Sequence, residues 1–326
     1  MTVSVALASF NGGRFVGEQL ASIALQSTPP AELVVVDDGS TDDTCAVVEA
    51  FARDAQFPVH LHRNAERLGV ASNFIHAASL CSGEHVAFAD QDDVWLETKL
   101  ERCAGALAEP GVRLCVHACE VVDEALAPLG RVVPKIRRSR IVAGEDVPKW
   151  AEAPGMGMVL DRALLELAPW ERRPRAHHDH DRVLHDEWVL GLARVSGRIS
   201  FLAEPLCLYR QHGVNVEGAP DRGLGSRLSE AANVGADYYA RRAEQARDWA
   251  SLLEDLPGAE SEAASYHRLA AALDLRAAAH SPERGRRQRL AAVGTGLRRG
   301  AYASRRGDGF GLRGLARDTL LAAAGR

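Results

Sequence analysis

No run in this chain approaches the roughly 18 consecutive apolar residues that a transmembrane helix needs, and the amino terminus does not follow the basic-then-apolar form of an export signal. A soluble cytoplasmic protein is therefore expected. The six cysteines, at positions 45, 81, 103, 115, 119 and 207, stand among apolar or helical stretches and not at the spacings of a disulfide framework. They read as reduced core residues, and the interval from Cys115 to Cys119 matches no common zinc knuckle. Positive charge is not in excess: 39 basic against 44 acidic residues give a net charge of -5, so no nucleic-acid partner is indicated. A Gly-x-Gly-x-x-Gly fingerprint is absent after the first apolar run, where Asn11-Gly12-Gly13-Arg14-Phe15-Val16-Gly17 stands instead. That spacing argues against a dinucleotide-dependent oxidoreductase.

What is present is an alternation of apolar runs and amphipathic stretches. With 46% hydrophobic and 25% charged residues, 326 residues suffice for one large core or a core with a helical appendage. Strands are expected over 3–8, 33–37, 59–62 and 85–89, and helices over 15–26, 42–53, 71–82 and 96–107, which together make a doubly wound α/β half. A further strand is expected over 113–119. The Pro- and Arg-containing span 128–154 reads as a connecting, partly mobile segment shaping an acceptor side.

Three of these strands end in polar groups: Ser9-Phe10-Asn11-Gly12-Gly13, Asp37-Asp38-Gly39-Ser40-Thr41, and Asp90-Gln91-Asp92-Asp93. Open α/β sheets bind ligands at the carboxyl ends of their strands, so these groups would line one crevice. Asp90 and Asp92 suit a hard divalent cation that shares its oxygen ligands with a substrate phosphate. The alternative is an acidic loop capping the helix that begins near Leu96.

The stretches from Ser9 to Ser27, from Val34 to Thr44, from Arg67 to Phe74 and from Phe88 to Leu100 resemble, in order and spacing, the amino-terminal half of family 2 glycosyltransferases, which use the nucleotide-sugar-binding GT-A fold. The segments from Gly155 to Pro169, from His185 to Ala193 and from Leu208 to Gly218 resemble the acceptor side of the rhamnosyltransferase-like branch. The resemblance implies a metal-dependent inverting transfer from a dTDP- or UDP-linked sugar, best a deoxyhexose such as rhamnose, to a glycan or lipid-linked acceptor of bacterial surface polysaccharide. By the same resemblance Asp92 is the metal ligand with Asp90 assisting, Mg²⁺ or Mn²⁺ is the cofactor, and His212 completes the metal shell or contacts the leaving group; a hydrogen-bonded loop histidine is the other reading. Ser9, Asn11, Asp37, Asp38, Arg67 and Gln91 fall in the nucleotide-sugar pocket. Asp38 would accept from the base's imide N–H, and Asp37 would orient the loop or contact the ribose. Arg67 reads equally as a surface residue ahead of a helix, and Asp93 as a cap for the helix that follows it.

Asp186 matches the family's catalytic base, with Glu187 as the competing candidate, since adjacent helical residues point about 100° apart and only one faces the crevice well. Trp188, Met156 and Met158 are assigned to the acceptor side, although a Trp at a helix start is more often core. Glu187 stands where this branch commonly has an aromatic residue, which leaves the acceptor open. The cluster His177-His178-Asp179-His180-Asp181 reads as a polar loop, because sequential neighbours cannot all converge on one ion.

Residues 1–218 are expected to form the GT-A domain, with a nucleotide-binding half over 1–107 and an acceptor-side half over 108–218. A helical, Arg-rich region follows over 219–326. From Arg276 onward twelve Arg face three acids. With Leu312, Leu315, Leu320 and Leu321 this segment reads as a peripheral contact to an anionic inner-membrane surface, or else as a solvated helix pair. A catalytically idle carbohydrate-binding or scaffold protein with the same fold is the alternative function.

Overall fold

The structure is a computed structural model that describes residues 1–177, 181–213, 234–303 and 310–324. Contacts divide the chain into two units: Met1–Gly144 with Glu152–Leu167 and Leu184–Ala219, and Glu145–Ala151 with Ala168–Val183 and Pro220–Arg326.

The first unit is a mixed sheet. Strands β1 (Val3–Ser9), β2 (Glu32–Asp37) and β4 (His85–Asp90) are apolar along almost their whole length, with no alternation of polar residues. Strands buried on both faces by crossover helices carry that pattern. β3 (Val59–Arg63) has Val59, His60, Leu61 and His62 alternating between half-buried and exposed, as an edge strand does. The sheet continues with β5 (Val94–Trp95), β6 (Val112–Val122), β7 (Pro128–Val133), β8 (Arg140–Ala143), β9 (Met158–Asp161) and β10 (Arg198–Arg210), in the order β3-β2-β1-β4-β9-β6-β10-β5. β7 pairs with β6, and β8 with β10. The span 128–154 is thus more structured than its composition suggests: β7 folds back in a hairpin on the preceding β6, and β8 is held by backbone pairing to β10, far away in sequence.

Parallel pairing carries β3-β2-β1-β4, and β9 enters antiparallel between β4 and β6. Register decides where the acids stand. Ser9 lies opposite Asp37 and Ala8 opposite Asp90, so the carboxylates closing β2 and β4 flank β1 at the carboxyl ends of these parallel strands. β5 pairs Trp95 and Val94 with Cys207 and Leu208 of β10, which draws the 90–93 loop to the end of β10.

Helices α1 (Val16–Ala24), α2 (Thr44–Asp54), α3 (Val70–Leu80), α4 (Lys99–Leu107) and α5 (His185–Ser196) belong to this unit. In α1 the buried Val16, Leu20 and Ile23 recur at helical spacing, so one stripe faces the core. The cysteines are free, and all but Cys45 are buried.

The second unit is largely helical, with α6 (Ala236–Glu254), α7 (Glu260–His280), α8 (Arg286–Arg298) and α9 (Gly311–Ala324). Its basic residues are not all solvated: Arg276 and Arg289 are buried. No helix among the described residues is long and apolar enough to cross a membrane.

Candidate active site

The loops at the carboxyl ends of β1, β2 and β3 are knitted together by the polar side chains they carry. Asp37, buried, accepts from the Gly39 and Ser40 amides (3.2 and 2.8 Å), from Ser9 Oγ (3.1 Å) and from Ser40 Oγ. Asn11 holds a left-handed backbone (φ 49°), and its Oδ1 accepts from the Thr41 amide at 2.9 Å. Asp38 accepts from Asn64 Nδ2 (2.8 Å) and from the amides of Leu68 (2.7 Å) and Gly69 (2.8 Å). Gly69 has φ +80°, a conformation that glycine adopts without strain, and this aims its N–H at the carboxylate. Arg67 is exposed, with its guanidinium 3.8 Å from the centroid of the Phe10 ring and 3.9 Å from Asp38. Gln91 pairs its amide with both backbone groups of Phe10 (2.9 and 3.1 Å), and a Cβ on Gly12 would collide with Gln91 Oε1.

A second cluster sits at the ends of β4 and β10. His212 Nε2 is 2.8 Å from Asp92 Oδ2, and its ring stacks on Phe15 with centroids 4.7 Å apart. Burial foremost, and then the charges of Asp92 and Asp186, push the Asp90 carboxyl from 3.8 up to about 8. Asp90, Asp92 and Asp186 therefore share one electrostatic neighbourhood. Asp93 is buried and does not cap α4, whose N-cap is Thr98; its Oδ1 accepts from the Arg210 amide at 3.0 Å. Burial pushes the Asp93 carboxyl well above the ordinary range.

Several side chains that frame this cluster have roles that the motifs carrying them do not announce. Arg210, buried, donates to the carbonyls of Asp92 (2.7 Å) and Glu124 (2.6 Å) and to Glu18 (2.5 Å). It pins the metal-candidate loop to α1 and to the 123–127 turn. Lys99 is fully buried with Nζ 2.7 Å from the Met156 carbonyl and 3.5 Å from the centroid of the Trp95 ring, and its charge opposes the rise of Asp90. Lys99 opens α4 and Arg210 closes β10, where a basic residue ordinarily reads as surface, so the packing reveals both cations as internal.

Asp186 opens α5, with Oδ1 accepting from the Glu187 amide at 2.8 Å. The preceding His185 is buried, stacked on Phe74 at 4.0 Å and edge-on to Phe88 at 5.0 Å. Burial lowers it from 6.5 to about 3, so it is neutral and holds the start of α5 to the sheet. Trp188 (1% exposed), Met156 (5%) and Met158 (0%) are core residues, which corrects their assignment to the acceptor side. A stacking platform must present a face, and these have none free. Of the His177–Asp181 cluster, residues 178–180 lie outside the described residues; His177 Nε2 is 2.9 Å from Arg242. The part of the Leu208–Gly218 motif beyond Gly213 also lies outside them.

No group of three or more His, Cys, Asp or Glu side chains suited to a metal gathers among the described residues. The Asp92–His212 pair is nonetheless compatible with one ion: its 2.8 Å separation is close to the ~3 Å edge between neighbouring ligands of an octahedral ion with bonds of about 2.1 Å. Such ions commonly take one or two protein ligands and leave the rest to phosphates and water.

Similarities to known proteins bear on the family and the fold of the chain. An uncharacterized glycosyltransferase of Nostoc sp. is 26% identical over 225 residues, covering 66% of each chain. The dTDP-rhamnosyl transferase RfbG of Shigella flexneri is 26% identical over 219 residues, covering 65% of this chain and 74% of its own. The chain spans a little under two thirds of the Nostoc relative and 59% of three mycobacterial relatives. Among solved structures, S. aureus TarS in complex with UDP superposes with a TM-score of 0.59 at 19% identity, over 85% of this chain and 81% of that one. The shared fold is the GT-A type mixed sheet. Residues 4–167, half of the chain, match the model of Glycosyl transferase family 2, and the chain belongs to that family.

Proposed function

We propose that this chain transfers a sugar from a nucleotide-sugar donor to a glycan or lipid-linked acceptor in bacterial surface polysaccharide synthesis, with inversion at the transferred carbon. The observation that carries this reading is the meeting of Asp92 and His212, 2.8 Å apart, beside the polar ends of β1, β2 and β4. The loops carrying Ser9, Asn11, Asp37, Asp38, Arg67 and Gln91 form a prearranged rim for the nucleotide. Asp37, Asp38 and Asn11 hold the shape of that rim, while the Phe10–Arg67 stack offers a flat cationic surface beside it. Asp92 and His212 would hold Mg²⁺ or Mn²⁺, which when bound neutralises charge on the departing diphosphate. Asp186 accepts the proton of the attacking hydroxyl, in the role of a general base opposite the leaving group, and Glu187 is its competitor for that role.

A dTDP-linked deoxyhexose such as rhamnose is the proposed donor, supported by the relative RfbG, which is named as a dTDP-rhamnosyl transferase. TarS structures hold UDP and UDP-GlcNAc, so the broader class of uridine or thymidine diphosphate sugars is the range to be screened. We also propose peripheral membrane contact through the Arg-rich carboxyl-terminal helices, supported by the exposed Leu312, Leu320 and Leu321 of α9.

The test is a thermal-shift screen of nucleotide sugars with and without Mn²⁺, followed by assay of donor hydrolysis. A donor-selective shift that needs the ion is expected. Asp92→Ala should abolish ion-dependent hydrolysis, and Asp186→Asn should lower turnover by about 10²- to 10⁴-fold while leaving donor affinity in place. Absence of any shift or hydrolysis across the donors would favour a catalytically idle GT-A protein.

A further inference from the structure

The helical unit contains a cavity of about 500 Å³ lined by Arg172, Arg173, Arg175 and Arg182, with Glu171 and Asp248 as its acids. Such a volume lies within the range of small-molecule sites, roughly 300–1,000 Å³. The four cations are not equivalent. Arg175 is matched to Asp248 by two side-chain hydrogen bonds of 2.8 and 2.9 Å and approaches Glu244 at 3.3 Å. Arg172 donates to Asp255 at 2.6 Å. Arg173 and Arg182 have no carboxylate within ion-pair distance among the described residues. Their contacts are with backbone carbonyls: Arg173 Nη1 reaches Trp170 O at 3.3 Å, and Arg182 Nη1 reaches Arg173 O. Arg173 Nε is buried with no hydrogen-bond partner. The Arg173 guanidinium lies 4.0 Å from the centroid of the Trp170 ring, which fixes its plane.

An unpartnered buried donor and two adjacent like charges are both unfavourable, and each would be relieved by an anion. Burial first and the Arg182 charge second lower the proton affinity of Arg173, against a smaller opposing effect of the exposed Glu171. The oxygen count of the anion follows from the donors. A carboxylate presents two coplanar oxygens and is satisfied by one guanidinium fork, as Asp248 is by Arg175. Two forks with donors left over call for an anion with more oxygens, arranged in three dimensions, and phosphate meets that description.

We propose that this cavity is a phosphate-binding site in which Arg173 and Arg182 grip a phosphate or diphosphate carried by a sugar or a lipid. The inference does not rest on the donor site. Arg173 and Arg182 lie outside every motif assigned to nucleotide-sugar binding.

Calorimetric titration of the full chain with inorganic pyrophosphate, glucose 1-phosphate and glucuronate tests the soluble forms, and cosedimentation with phosphatidic-acid vesicles tests the lipid-borne one. Binding of a phosphate probe in either format is expected, weakened about tenfold or more in Arg173→Gln/Arg182→Gln. Arg182→Gln alone, at an exposed position where folding is not threatened, should weaken it in the same direction. Titrated in EDTA, so that no divalent ion holds a diphosphate at the donor site, the surface variant Arg102→Gln should bind the probes as the parent does, which separates this site from the donor site and from general charge. Three results would overturn the proposal: no binding of any phosphate probe, affinity unchanged in both Arg182 variants, or glucuronate binding as tightly as glucose 1-phosphate.

Discussion

His185 and the proposed base Asp186 are neighbours in different surroundings. The His185 imidazole is enclosed by Phe74, Phe88 and the backbone at Gly155, and neither ring nitrogen has a hydrogen-bond partner. A charged imidazolium there has nothing to stabilise it, so the ring stays neutral down to about pH 3, against 6.5 when exposed. Below pH 6.5 the unfolded chain takes up a proton that the folded chain refuses, and stability falls with pH until about 3. At 1.36 kcal/mol per unit, the loss from this residue between pH 7 and pH 5 is about 2 kcal/mol. His185→Leu should therefore be less stable at pH 7 but lose about 2 kcal/mol less than the parent on acidification to pH 5, read from urea denaturation at the two pH values. Equal losses in both proteins would show that His185 is accessible to protons when folded.

At the scale of elements, the site is made by loops that lock to one another through side-chain-to-backbone bonds. The β1 loop is bound to the β2 loop by Asn11 and Ser40, and to the β4 loop by Gln91. Gly12 stands at the centre of this contact, where only a residue without a side chain leaves room for the Gln91 amide. Gly12→Ala should expel Gln91 from Phe10, breaking two hydrogen bonds of roughly 1 kcal/mol each, and weaken nucleotide-sugar affinity about tenfold or more. A titration giving an unchanged Kd would show that the donor does not use this geometry. The carboxyl end of β10 plays the equivalent part for the metal-candidate loop, since β5–β10 pairing and Arg210 together bring His212 to Asp92.

For the molecule as a whole, the helical unit has its own polar anchor. Asp318 of α9 is fully buried and accepts from Arg276 (2.7 and 2.8 Å) and His280 (2.8 Å) of α7 and from Tyr302 (2.8 Å). Burial raises its proton affinity, but these donors outweigh that effect and hold the carboxyl below 3.8. The stabilisation is thus present above about pH 4 and lost as pH falls further. Asp318→Asn leaves Arg276 buried without a counter-charge and should cost about 3–5 kcal/mol. Hydrogen exchange should show the α7 and α9 amides losing protection while those of β1, β2 and β4 keep theirs. Equal loss in both units would mean that the anchor serves the whole chain.

Much of the sheet could be read without coordinates, because a strand covered on both faces must be apolar throughout and must end abruptly in polar residues. Ser9, Asp37 and Asp90 stand at such ends, and the residues immediately after them carry the family's motifs. Local chemistry also announces the helix from His185 and the Gly-bearing turns. Contact between distant segments leaves no mark in local patterning, and only the family resemblance placed His212 with Asp92. Asp92 and His212 are 120 positions apart, and their meeting depends on a two-residue strand too short to carry a pattern. The side chains of Lys99, Arg210 and Trp188 are of types found both inside and outside proteins, so composition is silent on which side they take. Burial is a property of what packs around a residue, and three-dimensional packing alone made Trp188 core, Arg210 a clasp and Arg173 an unmatched charge.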